Sequence, residues 1–184
     1  MQVDLLPFGA IEDDDGRVIT NGIGLSSISL QGFKEIYDEG LPKVELEEKH
    51  SFKFCTLPGI VILKLIAYDD RPEERRDDIK DISDILNHFF SMYQDEIWEN
   101  HNELFEKNNV DLKEIAARVM GREMAKVAKR NEKLFMRLNS ILNKNTADVS
   151  DSMIGAIMVE YFENTVEENV NLLLNIKKGL TEQY

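Results

Sequence analysis

At Pro58-Gly59 the hydrophobic period of this chain changes, and the change dictates different structure on either side. Before it, Ser51-Phe-Lys-Phe-Cys-Thr-Leu57 alternates apolar and polar residues at period two, the pattern of a half-buried strand. After it, Ile60, Leu63, Leu65, Ile66 and Ala67 fall on a helical stripe, and Pro58 suits a first helical turn, where its missing N–H is no loss.

Upstream, Gln2 to Phe8 is expected to form a strand with Val3 and Leu5 facing one way and Asp4 and Leu6 the other. Asp13-Asp-Asp-Gly16 is a turn signal before Arg17-Val-Ile-Thr20, which predicts a hairpin. Ser26–Leu30, a short amphipathic piece from Gly32 to Tyr37, and Lys43–Leu46 complete a region that is mainly strand. Downstream, only helices are expected: about 74–90, 94–105, a long one from the cap candidate Asp111 to about Leu142, one capped by Ser150 or Asp151, and a last one from Thr165 to about Gly179. Gly121, inside the long helix, costs about 1 kcal/mol against alanine and marks either a break or close packing. The fold class is α+β, a small, mostly antiparallel sheet followed by a helical bundle, divided into residues 1–90 and 91–184.

Composition narrows the function classes. Of the 184 residues, 42% are apolar and 31% charged, a globular balance. No uninterrupted apolar run approaches the roughly 20 residues of a membrane helix, and the start carries no basic leader, so a cytoplasmic location without membrane contact is expected. The formal charge of −13 argues against a protein that coats nucleic acid with its whole surface. A local basic stripe does exist at Arg118, Arg122, Lys126, Lys129, Arg130, Lys133 and Arg137, either a solvated helix face or a track for RNA phosphates. The lone Cys55 sits in an apolar run and is expected to be packed, and the three histidines have no metal-ligand spacing. Tyr93 and Trp98 are expected at the junction of the two regions.

Chemistry is concentrated between Leu63 and Asp84. Helical spacing puts Lys64, Ala67 and Arg71 along one side of the first helix, while Lys80 or Asp81 lies three or four residues from Asp77 and Asp84 on the second. Two helix ends thus present mixed charge to one place. A solvated, salt-bridged face has the same spacing as a ligand site, so spacing alone leaves both open.

The ordered series Val3-Asp-Leu-Leu-Pro-Phe-Gly9, Gln31-Gly-Phe33, Leu57-Pro-Gly59, Leu63-Lys-Leu-Ile-Ala67 with Arg71, then Lys80-Asp81 and Asp84-Ile-Leu86, resembles the predicted nucleotidyltransferases related to AbiEii-type abortive-infection toxins. Gly121-Arg122 lies where such proteins often carry Leu-Gly-Arg-Asp, so the resemblance covers about the first 125 residues. It implies a partial nucleotidyltransferase fold and the transfer of a nucleotide from an NTP to RNA or to a protein hydroxyl. In that superfamily a Gly-Ser turn and an Asp-x-Asp pair precede a strand with a third acid, and these acids hold Mg²⁺ for in-line phosphoryl transfer. By resemblance Asp4 is that third acid, catalytic and metal-binding. Lys64, Arg71, Lys80 and Asp81 are the nucleotide-binding residues. The Gly-Ser turn and Asp-x-Asp pair have no counterpart before Asp4, since Asp13 and Asp15 follow it in a turn. This chain alone is therefore expected to be weak or inactive: a truncated product, a degenerate relative, or a half completed by another chain. Homodimerisation would cover an exposed sheet edge. The rival expectation is a noncatalytic module whose acidic surface and sheet edge bind a protein partner such as an antitoxin.

Overall fold

The computed structural model describes residues 6–13, 17–18, 28–46, 50–106 and 111–183. The expected N-terminal strand, with Asp4, falls mostly outside them, and its described part, Leu6 to Phe8, is not in a strand.

The α+β class holds: two small antiparallel pairs precede a helical bundle. Asp13 and Arg17 are tied by two hydrogen bonds of 2.9 Å, Asp13 N–H to Arg17 O and Arg17 N–H to Asp13 Oδ1, where the turn is expected. β1 (Arg17–Val18) does not pair back across that turn. It pairs with β2 (Ile28–Ser29), Arg17 opposite Ser29. α1 (Phe33–Glu39) follows Gly32, whose φ of 97° suits glycine and whose missing Cβ lets the chain pass close to Ile62. β3 (Lys43–Leu46) and β4 (His50–Lys53) then form a hairpin with Val44 opposite Phe52, and Phe54 N–H donates to Pro42 O at 3.0 Å. The period-two alternation puts Val44, Leu46, Phe52 and Phe54 on one face, and that face stays about half-exposed.

The helices begin at α2 (Leu57–Asp70), whose N-cap Thr56 accepts from Gly59 N–H at 3.3 Å. α3 (Arg76–Asn100) joins the two helices expected over 74–105, with a kink at Tyr93 marking their boundary, and the segment ends as a 3-10 turn at Asn102–Phe105. The long helix expected from Asp111 to Leu142 is two helices. α4 (Leu112–Ala128) is capped by Asp111, and α5 (Glu132–Lys144) starts afresh because Asn131 Oδ1 accepts from the N–H groups of Lys133 and Leu134. The Asn131 side chain also donates to Glu35 of α1 at 2.7 Å, so the break is a docking point. α6 (Met153–Met158) is capped by Ser152, one residue beyond the nearer candidate, and α7 (Val166–Thr181) by a Thr165–Glu168 capping box.

α4 is the hub, packing on α1, α2, α3, α5 and α7. Its crossing with α7 needs two glycines. A Cβ on Gly121 would lie 2.0 Å from Ile176 O, and one on Gly179 would lie 2.0 Å from Arg118 O. Of the two readings of Gly121, close packing is the observed one. A single buried cluster runs from Ile36 to Leu180, and residue 90/91 falls within α3, three residues before its kink. No helix among the described residues is long and apolar enough to cross a membrane.

Candidate functional site

Lys64 sits in the middle of α2, between residues buried on both sides of it in sequence, and its ammonium reaches across to the first turns of α3. Asp78 and Asp81 are three residues apart there, hence on one face of the helix. Lys64 Nζ lies 2.9 Å from Asp78 Oδ1 and 2.5 Å from Asp81 Oδ2. The second oxygen of Asp78 has Arg75 Nε 2.7 Å away but off the hydrogen-bond direction, so that contact is coulombic. Asp78 is buried at a helix N-terminus, where the backbone dipole favours a carboxylate.

Burial would lower the Lys64 pKa, and its bonds to Asp81 and Asp78 outweigh that and raise it. Lys64 is therefore a fixed ammonium, only 23% exposed, with one half-exposed partner in Asp81 and one buried partner in Asp78. An incoming anion can replace Asp81 at little cost, because an exposed ion pair is worth only about 0 to 1 kcal/mol.

The structure brings Lys64 and Asp81 together and leaves the other expected residues apart from that bridge. Arg71 is the C-cap of α2 and pairs with Glu74 at 3.5 Å in the α2–α3 connection. Lys80 is exposed and joins neither Lys64 ion pair. Asp4 lies outside the described residues. Among the described residues no group of three or more His, Cys, Asp or Glu could hold a metal ion, so these side chains do not fit Mg²⁺.

Much of the basic stripe is ion-paired, within α4 or across to neighbouring elements. Arg130 meets Glu39 of α1 at 2.5 Å, Lys126 pairs with Glu123 at 2.6 Å, and Arg137 reaches Asp70 at 2.7 Å and Gln31 at 2.9 Å. Arg122 is buried. It donates to Glu182 at 2.6 Å and to Glu103 at 2.5 Å, and its Nη1 lies 2.8 Å from His101 Nδ1; Arg118 holds the same Glu182 carboxylate. Burial, reinforced by the Arg122 charge, lowers the His101 pKa below its ordinary value. For Glu182, burial pushes upward, but the bonds from Arg118 and Arg122 prevail and hold the carboxyl low. Nothing in the local spacing announces this cluster, because its members lie up to 81 positions apart. The one clue is Gly121 beside Arg122, since a residue next to a close helix crossing lies inside.

A cavity of about 300 Å³ opens beside α4, walled by α1, the start of α2 and the kinked stretch of α3. Phe89 and Tyr93 line it as a stacked pair with centroids 4.5 Å apart. Trp98, half-exposed, stacks instead on Phe105 at 3.7 Å.

Comparison of the chain with protein-family models, with curated proteins and with solved structures finds no match.

Proposed function

We propose that this chain is a cytoplasmic protein of nucleotidyltransferase type in which Lys64 receives the phosphates of an NTP, the nucleotide passing to RNA or to a protein hydroxyl. The observation that carries the reading is the Lys64–Asp81 pair. A lysine whose stem is packed in a helix, and whose ammonium is held by one buried and one replaceable carboxylate, is charged, oriented and open to an anion. Its position agrees with the order of motifs by which the sequence resembles the AbiEii-type group. Arg71 and Lys80 then serve as outlying cations around the phosphates. Mg²⁺, in this reading, would be held at Asp4, as the resemblance implies.

Calorimetric titration of the chain with each NTP, with and without Mg²⁺, beside Lys64→Gln, tests this. Loss of a charge-assisted bond to phosphate, about 1.5 to 3 kcal/mol, weakens binding roughly 10- to 100-fold. Unchanged binding in a variant that keeps its circular dichroism would refute the assignment.

The half-exposed Val44, Leu46, Phe52 and Phe54 face favours a second reading, a noncatalytic module in which the β3–β4 hairpin docks on a second copy or on an antitoxin-like protein. Sedimentation of wild type beside Phe52→Ser tests its dimer form: a dimer lost in the variant supports docking on a second copy, and a monomer in both excludes it.

A further inference from the structure

α3 and α4 meet the cavity with the same spacing. Phe89, Tyr93, Glu96 and Ile97 come from α3, and Val119, Glu123, Lys126 and Val127 come from α4, each set at i, i+4, i+7, i+8. Each helix thus offers an apolar floor with an acid at its rim, and Glu39 of α1 adds a third carboxylate. Against these stands one ammonium in the lining, Lys126, already 2.7 Å from Glu123 Oε2. Glu39 is matched by Arg130, whereas Glu96 is exposed and makes no ion pair among the described residues. The space is of ligand size, at the small end of the usual range. Its balance of charge disfavours an anion. The failure of these carboxylates to form a metal-holding group argues for a cation that spreads its charge over an organic body. The Phe89–Tyr93 stack supplies the π-face such a body prefers. The acids also make themselves felt on the wall, since burial first, then Glu96 and Glu123, push the Tyr93 phenol up.

We infer that the cavity between α1, α2, the kink of α3 and α4 binds a small organic cation, an amine or quaternary ammonium carried on an apolar or aromatic body. The cation sits between Glu96 and Glu123, and the body lies on Phe89, Tyr93, Val119 and Val127. The site is separate from Lys64 and does not depend on the nucleotide reading.

The test is a two-dimensional NMR titration of the full chain with benzyltrimethylammonium, benzyl alcohol and phenylacetate, three probes of one body and different charge. Saturable shifts at Tyr93, Ile97 and Val119 with the cation, at least about tenfold weaker binding of the alcohol and none of the acid are expected. Glu96→Gln, an exposed change that leaves the fold intact, weakens the cation about fivefold, and Val119→Phe, which fills the space, abolishes its binding. Equal binding of the neutral probe, or indifference to Glu96→Gln, would overturn the choice of ligand class. Absence of saturable shifts in this lining at millimolar probe would overturn the site.

Discussion

Replacing Gly121 by alanine puts a methyl group 2.0 Å from Ile176 O and 2.9 Å from Leu180 N, atoms of a helix backbone that cannot rotate aside. Reaching even the 3.0 Å floor of real contacts separates α4 from α7 by about 1.0 Å. A gap of that size forfeits a quarter to a half of the dispersion well for contacts across it. Overpacking of this kind costs about 3 kcal/mol, and the better helix propensity of alanine returns about 1, leaving a net loss near 2 kcal/mol. For a domain of this size that lowers the melting temperature by roughly 4 to 8 °C, read by circular dichroism or a urea titration. Gly179→Ala strikes Arg118 O in the same crossing, so one separation relieves both clashes, and the double variant loses less than the sum of the singles. A Gly121→Ala variant as stable as wild type, or more so, would show that α4 and α7 do not cross at these glycines.

Asn131→Ala removes both the N-cap of α5 and the bond to Glu35, and is expected to cost about 1 to 2 kcal/mol in a denaturant titration, whereas Asn131→Asp keeps the cap but sets a carboxylate against Glu35. Acid sensitivity follows from the Arg122 cluster. His101, Glu103 and Glu182 all have folded-state pKa values below their ordinary ones, so their contributions are complete above about 6.5. As pH falls, His101 begins to withdraw its share below 6.5, and Glu103 and Glu182 withdraw theirs below 4.5. Melting temperatures measured from pH 8 to pH 3 should therefore decline in two stages, and Arg122→Met should shrink the lower one without abolishing it, because Arg118 still holds Glu182.

The helical half of this fold was legible because its signals are local. Asp111 caps α4 as expected and Tyr93 marks the joint between the two segments of α3, while of the α2 stripe Leu65 and Ile66 are buried and Ile60, Leu63 and Ala67 only partly so, Val61 and Ile62 completing the buried face. The break at Asn131 is hidden because Val127 and Leu134 are seven residues apart, about two turns, so they keep to one helical face across it. What divides the helix there is a side chain that caps one segment while bonding to α1, 96 positions away. The β1 pairing escaped for a related reason, since a turn signal fixes where the chain reverses and not which later strand it meets. Of the candidate site, helical spacing places Lys64 and Asp81 on two successive helices, but their ion pair depends on how those helices pack and is visible only in the structure. Arg122 was assigned to an exposed stripe because periodicity identifies a shared face and not what lies against it.

The double role of Asn131 gives the bundle a lever. α1 is fastened to the α4–α5 joint at both Asn131 and Arg130, through Glu35 and Glu39 respectively, and the same helix contributes Ile36 and Glu39 to the cavity wall. α1 is therefore a boundary shared by the cavity and by the point where α4 hands over to α5. From α5, Arg137 grips Asp69 and Asp70 at the far end of the helix that carries Lys64. The cavity wall and the C-terminal end of α2 are thus tied to one α4–α5 joint, by Glu35 and Glu39 on one side and by Arg137 on the other.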